Sequence, residues 1–214
     1  MSASPLSIVV PFRGELETTL AFLDSLGRHE PLTLVDDHTP EASVGAALRA
    51  MGHGVLRPRL RPYYNGALRW AIETAKTEFL GVLNNDLILP ENFVGDVLEA
   101  FGQGWDMLVP STAPEGDSNR PGVEPLDKQE GWCMLMRVSA VREIPPVPTE
   151  LRLWYGDTWL FHHAWKAGLQ VGKIRHVVVQ HLRSHTMRAR AAEVDEILQS
   201  DGRAATPYRL QAHR

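Results

Sequence analysis

Asn84-Asn85-Asp86 interrupts an otherwise apolar stretch, FLGVLNNDLILPENF, over residues 79–93. Phe79, Leu80, Val82 and Leu83 suit a buried strand, and the strand then meets two amides and a carboxylate. A carboxylate at a strand end is a hard oxygen donor for Mg2+ or Mn2+, cations that keep phosphate or water in their shells. The two amides offer hydrogen bonds to a ribose or phosphate without adding charge. A turn rich in Asn and Asp would draw on the same residue types, so both meanings stand at this point.

Four more groups invite the same question. Asp36-Asp37 follows the run Leu32–Val35 and could read a ribose or base, or cap the next helix. His181, in QHLRSHT, could complete a metal site, with Arg183 beside it for phosphate oxygens. Asp157, in LWYGDTWLFHHAWKAG, could cap a helix or act as a general base. Trp154, Tyr155 and Trp159 would desolvate it and raise its proton affinity. Trp132 and Trp154, beside loops, are candidate stacking surfaces for an acceptor.

The elements that must position these groups alternate between strand and helix. Ser7–Val10, Leu32–Val35, Val55-Leu56 and Phe79–Leu83 read as strands, and residues 15–27, 41–51 and 65–76 as the helices between them. That order implies a mostly parallel central sheet flanked by helices, an α/β fold. Ligands of such sheets bind beyond the carboxyl ends of the strands. Pro11-Phe12-Arg13, Asp36-Asp37 and Asn84–Asp86 all sit at such ends. The second half is less regular. It has helices at 91–102 and 157–167, strands at Asp106–Val109, Cys133–Arg137 and Val177–Val179, and a terminal helix at 189–199. The last dozen residues read as loose. The Pro-, Gly- and charge-rich segment 111–130 reads as a long loop, either functional or disordered.

A length of 214 residues with 43% hydrophobic residues predicts one globular domain, or one domain with an appendage, with a sizeable core. The single cysteine, Cys133, excludes an intrachain disulfide. The N-terminal residues lack a signal-peptide pattern, and no apolar run approaches the ~20 residues of a membrane span. The expectation is a cytoplasmic protein without a membrane anchor. Residues 173–214 hold 8 Lys/Arg against 4 Asp/Glu, whereas residues 1–172 hold 14 against 22. The basic end could meet an anionic partner such as DNA, although an exposed basic helix face has the same composition.

Taken in order, SIVVPF, LTLVDDHTPE, FLGVLNNDLILPENF, GWCMLMRVSAV, YGDTWLFHHAWKAG and VVVQHLRSHT resemble a GT-A-fold nucleotide-sugar glycosyltransferase of the family 2 type, over roughly residues 6–186. The resemblance implies a nucleotide-binding half, 1–110, and an acceptor half, 111–186, followed by a C-terminal helix and tail, 187–214. It implies that Pro11, Phe12, Arg13, Asp36, Asp37, Asn84, Asn85, Trp132 and Arg183 bind a nucleotide-diphosphate sugar such as a UDP-sugar. Asp86 and His181 would hold Mn2+ or Mg2+, and Asp157 would be the catalytic base. The acceptor would be a hydroxyl of a glycan, a protein, a small molecule or a modified DNA base. Two departures stand out. Gly156 replaces the usual Glu before Asp157, and Arg69 stands where relatives often carry Asn. With Arg57, Arg59 and Arg61, Arg69 is expected to bring positive charge to the donor. A non-catalytic binding module and a sugar-phosphate nucleotidyltransferase are the alternatives, the second weakened by the single glycine and two acids of PFRGELE.

Overall fold

Side chains alternate across β1, Leu6–Phe12, and this alternation builds two cores at once. Ile8 and Val10 face one hydrophobic cluster with Leu34, Phe79, Leu83 and Phe22. Val9 faces the other, with Leu80, Val82, Leu68 and Phe161. A strand buried on both faces needs apolar residues at every position, which is why β4, Phe79–Leu83, is buried throughout. The computed structural model describes residues 4–29, 31–112, 122–126, 131–182 and 191–208.

The first half of the chain is parallel. β1 pairs in parallel with β2, Leu32–Asp36, on one side and with β4 on the other. β3, Val55–Leu56, extends the sheet beyond β2. The crossovers are α1, Leu16–Leu26, α2, Ala42–Ala50, and α3, Tyr63–Thr74. The chain continues through β5, Leu87–Ile88, α4, Phe93–Gly102, and β6, Met107–Thr112. β7, Val123–Pro125, and β8, Cys133–Arg137, come next, with the single turn α5, Val138–Val141. Then follow α6, Gly156–Lys166, β9, Val171–His181, and α7, Ala191–Ala205, which ends in a 3-10 turn, Thr206–Tyr208.

In the second half the sheet turns mixed. The order is β3-β2-β1-β4-β8-β6-β9-β5, with β7 also on β9. β8 is antiparallel to both β4 and β6, whereas β6 and β9 run parallel. The register of β6 against β9 shifts between Pro110 and Ser111, where proline has no amide to give a ladder. Beyond that irregularity β9 reaches β5.

Several expectations change in detail. The loop assigned to 111–130 is strand at 111–112 and again at Val123–Pro125, where β7 pairs with β9. Residues 113–121 and 127–130 lie outside the described residues. The terminal helix is longer than expected: Gly202 does not end it, because buried Asp201 and Ala205 tie its last turns to the core. Tyr208 packs edge-on against Trp159, with ring centroids 4.8 Å apart, so residues 203–208 are not loose. No helix among the described residues is long and apolar enough to cross a membrane.

Leu80 is fully buried between Ser7 and Met136 of the neighbouring strands. Leu80→Ala should lower the unfolding free energy by about 2–5 kcal/mol in urea denaturation. A much smaller loss would contradict close packing on this face.

Candidate functional site

The ends of β1, β2 and β4 meet the end of β9 along one rim. The two-residue strand β5 makes that meeting possible. It pairs antiparallel with β9, Leu87 opposite His181 and Ile88 opposite Gln180, and the amide of Leu182 donates to the Asp86 carbonyl at 2.9 Å. This register sets His181 Nε2 3.2 Å from Asp86 Oδ1. Two neighbouring donors of one octahedral cation, each about 2.1 Å from it, lie about 3.0 Å apart, so the pair fits a small divalent ion. Among the described residues no three His, Cys, Asp or Glu side chains converge to enclose a cation. Ligand oxygens or water would have to complete the shell.

Two cavities, of about 160 and 270 Å3, share Tyr64, Asn84, Asp86 and Leu153. The first carries Pro11, Phe12, Arg13, Asp37, Arg61 and Asn85. The second carries Asn65, Gly131, Trp132, Trp154, Asp157 and His181. Asp86 therefore stands where the two meet. Asn85 Nδ2 donates to Thr19 Oγ1 at 2.9 Å, which fixes the turn to α1.

The two aspartates at the end of β2 divide their work. Asp36 is 1% exposed and lines neither cavity. It accepts from Arg57 Nη1 at 2.6 Å and from the amide of Thr39 at 2.7 Å, so it braces the turn rather than facing a ligand. Asp37 reaches the first cavity. Its Oδ1 accepts the amide of Tyr63 at 2.7 Å, and its Oδ2 accepts from Arg61 Nε and Nη2 at 3.1 and 2.9 Å. Burial pushes the Asp37 carboxyl up to about 7, while the amide of Tyr63 and the nearby His38 pull against it. Arg61 also reaches Glu193 of α7, and Arg13 Nη1 meets the same Glu193 Oε1 at 2.8 Å.

Asp157 sits in the first turn of α6, where a carboxylate is favoured by the helix dipole. Its Oδ1 accepts the amide of Thr158 at 2.7 Å. Burial raises its proton affinity above that of an ordinary carboxyl. Gly131 makes room for it: a Cβ there would lie 2.6 Å from Asp157 Oδ2. Tyr64 donates to the Gly131 carbonyl at 2.7 Å. Burial, with the nearby Asp157, holds the Tyr64 hydroxyl well above its usual value, so it stays a neutral donor.

Gly156 also has a steric cause. A Cβ there would lie 2.5 Å from Asn65 Cγ and closer still to Oδ1. Asn65 is fully buried and its Nδ2 donates to the carbonyls of Leu151 and Trp154 at 3.2 and 3.0 Å. The volume a longer side chain would need is taken by α3.

The expected residues thus gather with exceptions. Pro11, Phe12, Arg13, Asp37, Asn84, Asn85, Asp86, Trp132, Asp157 and His181 line the paired cavities, and Trp132 lies with its ring 5.7 Å from that of His181. Asp36 does not, nor does Arg69. The Arg69 guanidinium donates to the Pro148 carbonyl at 2.9 Å and borders a separate cavity with Ile72, Val141 and Leu160, because its face of α3 turns toward the 142–150 loop. Of the arginines in the basic segment 173–190, which could meet an anionic partner such as DNA, Arg175 pairs with Glu124 at 3.3 Å. Arg183, Arg188 and Arg190 lie outside the described residues. Sequence reasoning missed Tyr64, Asn65 and Leu153, and the contribution of α7 through Glu193, Val194 and Ile197. The amphipathic spacing of Val194, Ile197 and Leu198 was the available signal for the last.

The sequence profile of Glycosyl transferase family 2 matches residues 7–168. No curated protein matches the sequence. Among solved structures, GalNAc-T7 with UDP, GalNAc and Mn2+ superposes with a TM-score of 0.69 at 13% identity, over 82% of this chain and 42% of that one. S. aureus TarS 1-349 gives a TM-score of 0.65 at 13% identity, over 95% of this chain and 72% of that one. The TarS complex with UDP gives 0.62 at 13% identity, over 82% and 59%. The chain therefore spans less than half the length of the GalNAc-T7 structure. At this identity the likeness concerns the fold, a GT-A α/β architecture.

The packing of Asn65 against Gly156 yields a stability test. Gly156→Ala should destabilise the fold by about 1–3 kcal/mol through overpacking. In a double-mutant cycle with Asn65→Ala, urea denaturation should show the two changes coupled, with the alanine at 156 tolerated better once Asn65 is gone. Additive effects would mean the two side chains do not compete for space.

Proposed function

The chain belongs to glycosyl transferase family 2, and on that premise we propose that it transfers a sugar from a nucleotide-diphosphate donor to an acceptor hydroxyl, with inversion and with a divalent cation. The observation that carries this reading is the meeting of two cavities at Asp86. A nucleotide in the first cavity and an acceptor in the second would leave the diphosphate and the reacting sugar between them.

The roles follow from that arrangement. Pro11, Phe12, Arg13 and Asp37 would enclose the nucleoside, and Asn84 and Asn85 would give hydrogen bonds beside the diphosphate. Asp86 and His181 would hold Mn2+ or Mg2+, which when bound supplies positive charge to the departing diphosphate. Asp157 would take the proton of the acceptor hydroxyl, whose oxygen then attacks the anomeric carbon from the side opposite the leaving phosphate. A buried carboxyl with raised proton affinity suits a base that works near neutrality. Trp132 and Trp154 offer apolar faces to a sugar or other acceptor beside it. A UDP-sugar is the donor this reading favours, and a glycan, a protein, a small molecule or a modified DNA base could supply the hydroxyl. The glycine at 156, in place of the acid that the family resemblance implies, is the feature that favours the non-catalytic alternative, and the space taken by Asn65 gives it a steric cause while Asp157 is retained.

Asp157→Asn should lower turnover by roughly 10²–10⁴-fold while leaving UDP affinity unchanged in calorimetry. The working form of Asp157 is the carboxylate, so the rate should fall as pH drops through its pKa. Because burial raises that pKa, the acidic limb should lie above the ordinary value of about 3.9 and be absent in Asp157→Asn. Turnover should release nucleoside diphosphate; pyrophosphate release from NTP and sugar phosphate would instead identify a nucleotidyltransferase. Asp86→Ala should abolish the Mn2+ dependence of UDP binding, and undiminished dependence would remove Asp86 from the cation site.

A further inference from the structure

The loop that leads into Asp157 is held from two sides. Asn65 of α3 takes its carbonyls: Nδ2 donates to Leu151 and Trp154, and the Asn65 amide donates to the Arg152 carbonyl at 3.0 Å. Asp201 of α7 takes its amides. Asp201 is 0% exposed, and its Oδ2 accepts the N–H groups of Arg152, Leu153 and Trp154 at 3.0, 2.8 and 2.9 Å. Three successive amides on one carboxylate oxygen form an anion nest, and charge-assisted bonds of this kind are about twice as strong as neutral ones. Without the carboxylate, three amides of a half-buried loop would lose their shared acceptor.

What the clamp holds is the approach to the site. Leu153 lines both cavities and Trp154 lines the one that contains Asp157. Tyr155 then takes a left-handed conformation, φ 63°, and α6 begins at Gly156 with Asp157 as its second residue. Eight residues before Asp201, about 12 Å along the helix, Glu193 meets Arg13 and Arg61 at the nucleotide-side cavity. All of α7 lies beyond the residues matched by the family profile.

We propose that Asp201 is a positioning residue for the transfer reaction: its carboxylate fixes the 152–154 backbone and so sets Trp154 and Asp157 against the shared cavity. The proposal rests on the reading of Asp157 as the base. A shift of the base by 1 Å is enough to cost on the order of a hundredfold in rate.

The test compares wild type, Asp201→Ala and Asp201→Asn in nucleoside-diphosphate release from a UDP-sugar with Mn2+, in UDP affinity by calorimetry and in thermal melting. Asp201→Ala should lower kcat by on the order of tenfold to a hundredfold with UDP affinity held within about twofold. Asp201→Asn keeps a neutral acceptor oxygen and should recover part of that loss. Wild-type kcat in Asp201→Ala overturns the proposal. So does a fall in kcat matched by an equal fall in UDP affinity, with Asn no better than Ala, because that pattern belongs to a general structural brace. Should the alanine variant fail to fold, Asp201→Asn decides alone: a few-fold loss of kcat at unchanged UDP affinity upholds the role, and unchanged kcat overturns it. A wild type that binds UDP yet releases no diphosphate from any nucleotide sugar removes the reading of Asp157 and the role of Asp201 together. A working wild type indifferent to residue 201 removes the second alone.

Discussion

A two-rung ladder between β5 and β9 holds Asp86 and His181 side by side at the rim of the sheet. Asp86 and His181 are far apart in sequence, and no shared helix or turn links them. Their neighbourhood exists because Leu87 pairs with His181 and the Leu182 amide donates to the Asp86 carbonyl. A slip of one residue would turn the imidazole to the opposite face of the strand, since strand side chains alternate. The ladder in turn needs a long β9, whose last residues, Gln180 and His181, run on past its final pairing with β6 at Val179.

Charge around the first cavity is arranged with the same economy of parts. Arg61 lies between Asp37 and Glu193, and Arg13 meets Glu193 from the other side. Arg61 also stacks over the ring of Tyr63 at 4.0 Å, so its plane is held as well as its charge. Each arginine enters the cavity already partnered. Groups fixed by neighbours before a ligand arrives lose less freedom on binding it, and this is the physical sense in which the cavity is prepared.

The first half of this arrangement was legible from residue order. Apolar runs that stop on polar groups mark the ends of parallel strands, and β1, β2 and β4 deliver Arg13, Asp37 and Asn84–Asp86 to one rim as that pattern requires. Less was legible where structure depends on distant partners. β5 and β7, of two and three residues, carry no periodicity of their own and exist through pairing with β9. Arg69 was placed by local charge, but the direction of a helix face is set by what packs on it, here the carbonyl of Pro148. Asp36 and Asp37 look equivalent side by side, yet consecutive residues at a strand end point apart, so that one is committed to Arg57 and the other to the cavity. The importance of α7 was hidden for a similar reason. Glu193 and Asp201 read as ordinary surface acids until Arg13, Arg61 and the 152–154 amides are set opposite them.

The filling of one small volume by Asn65 and Gly156 limits how this turn can be redesigned. A side chain added at 156 would meet the Asn65 amide, and clearing residue 65 to admit it would release the carbonyls of Leu151 and Trp154. A designer who wants a second acid beside Asp157 would therefore have to supply new donors for those two carbonyls as well.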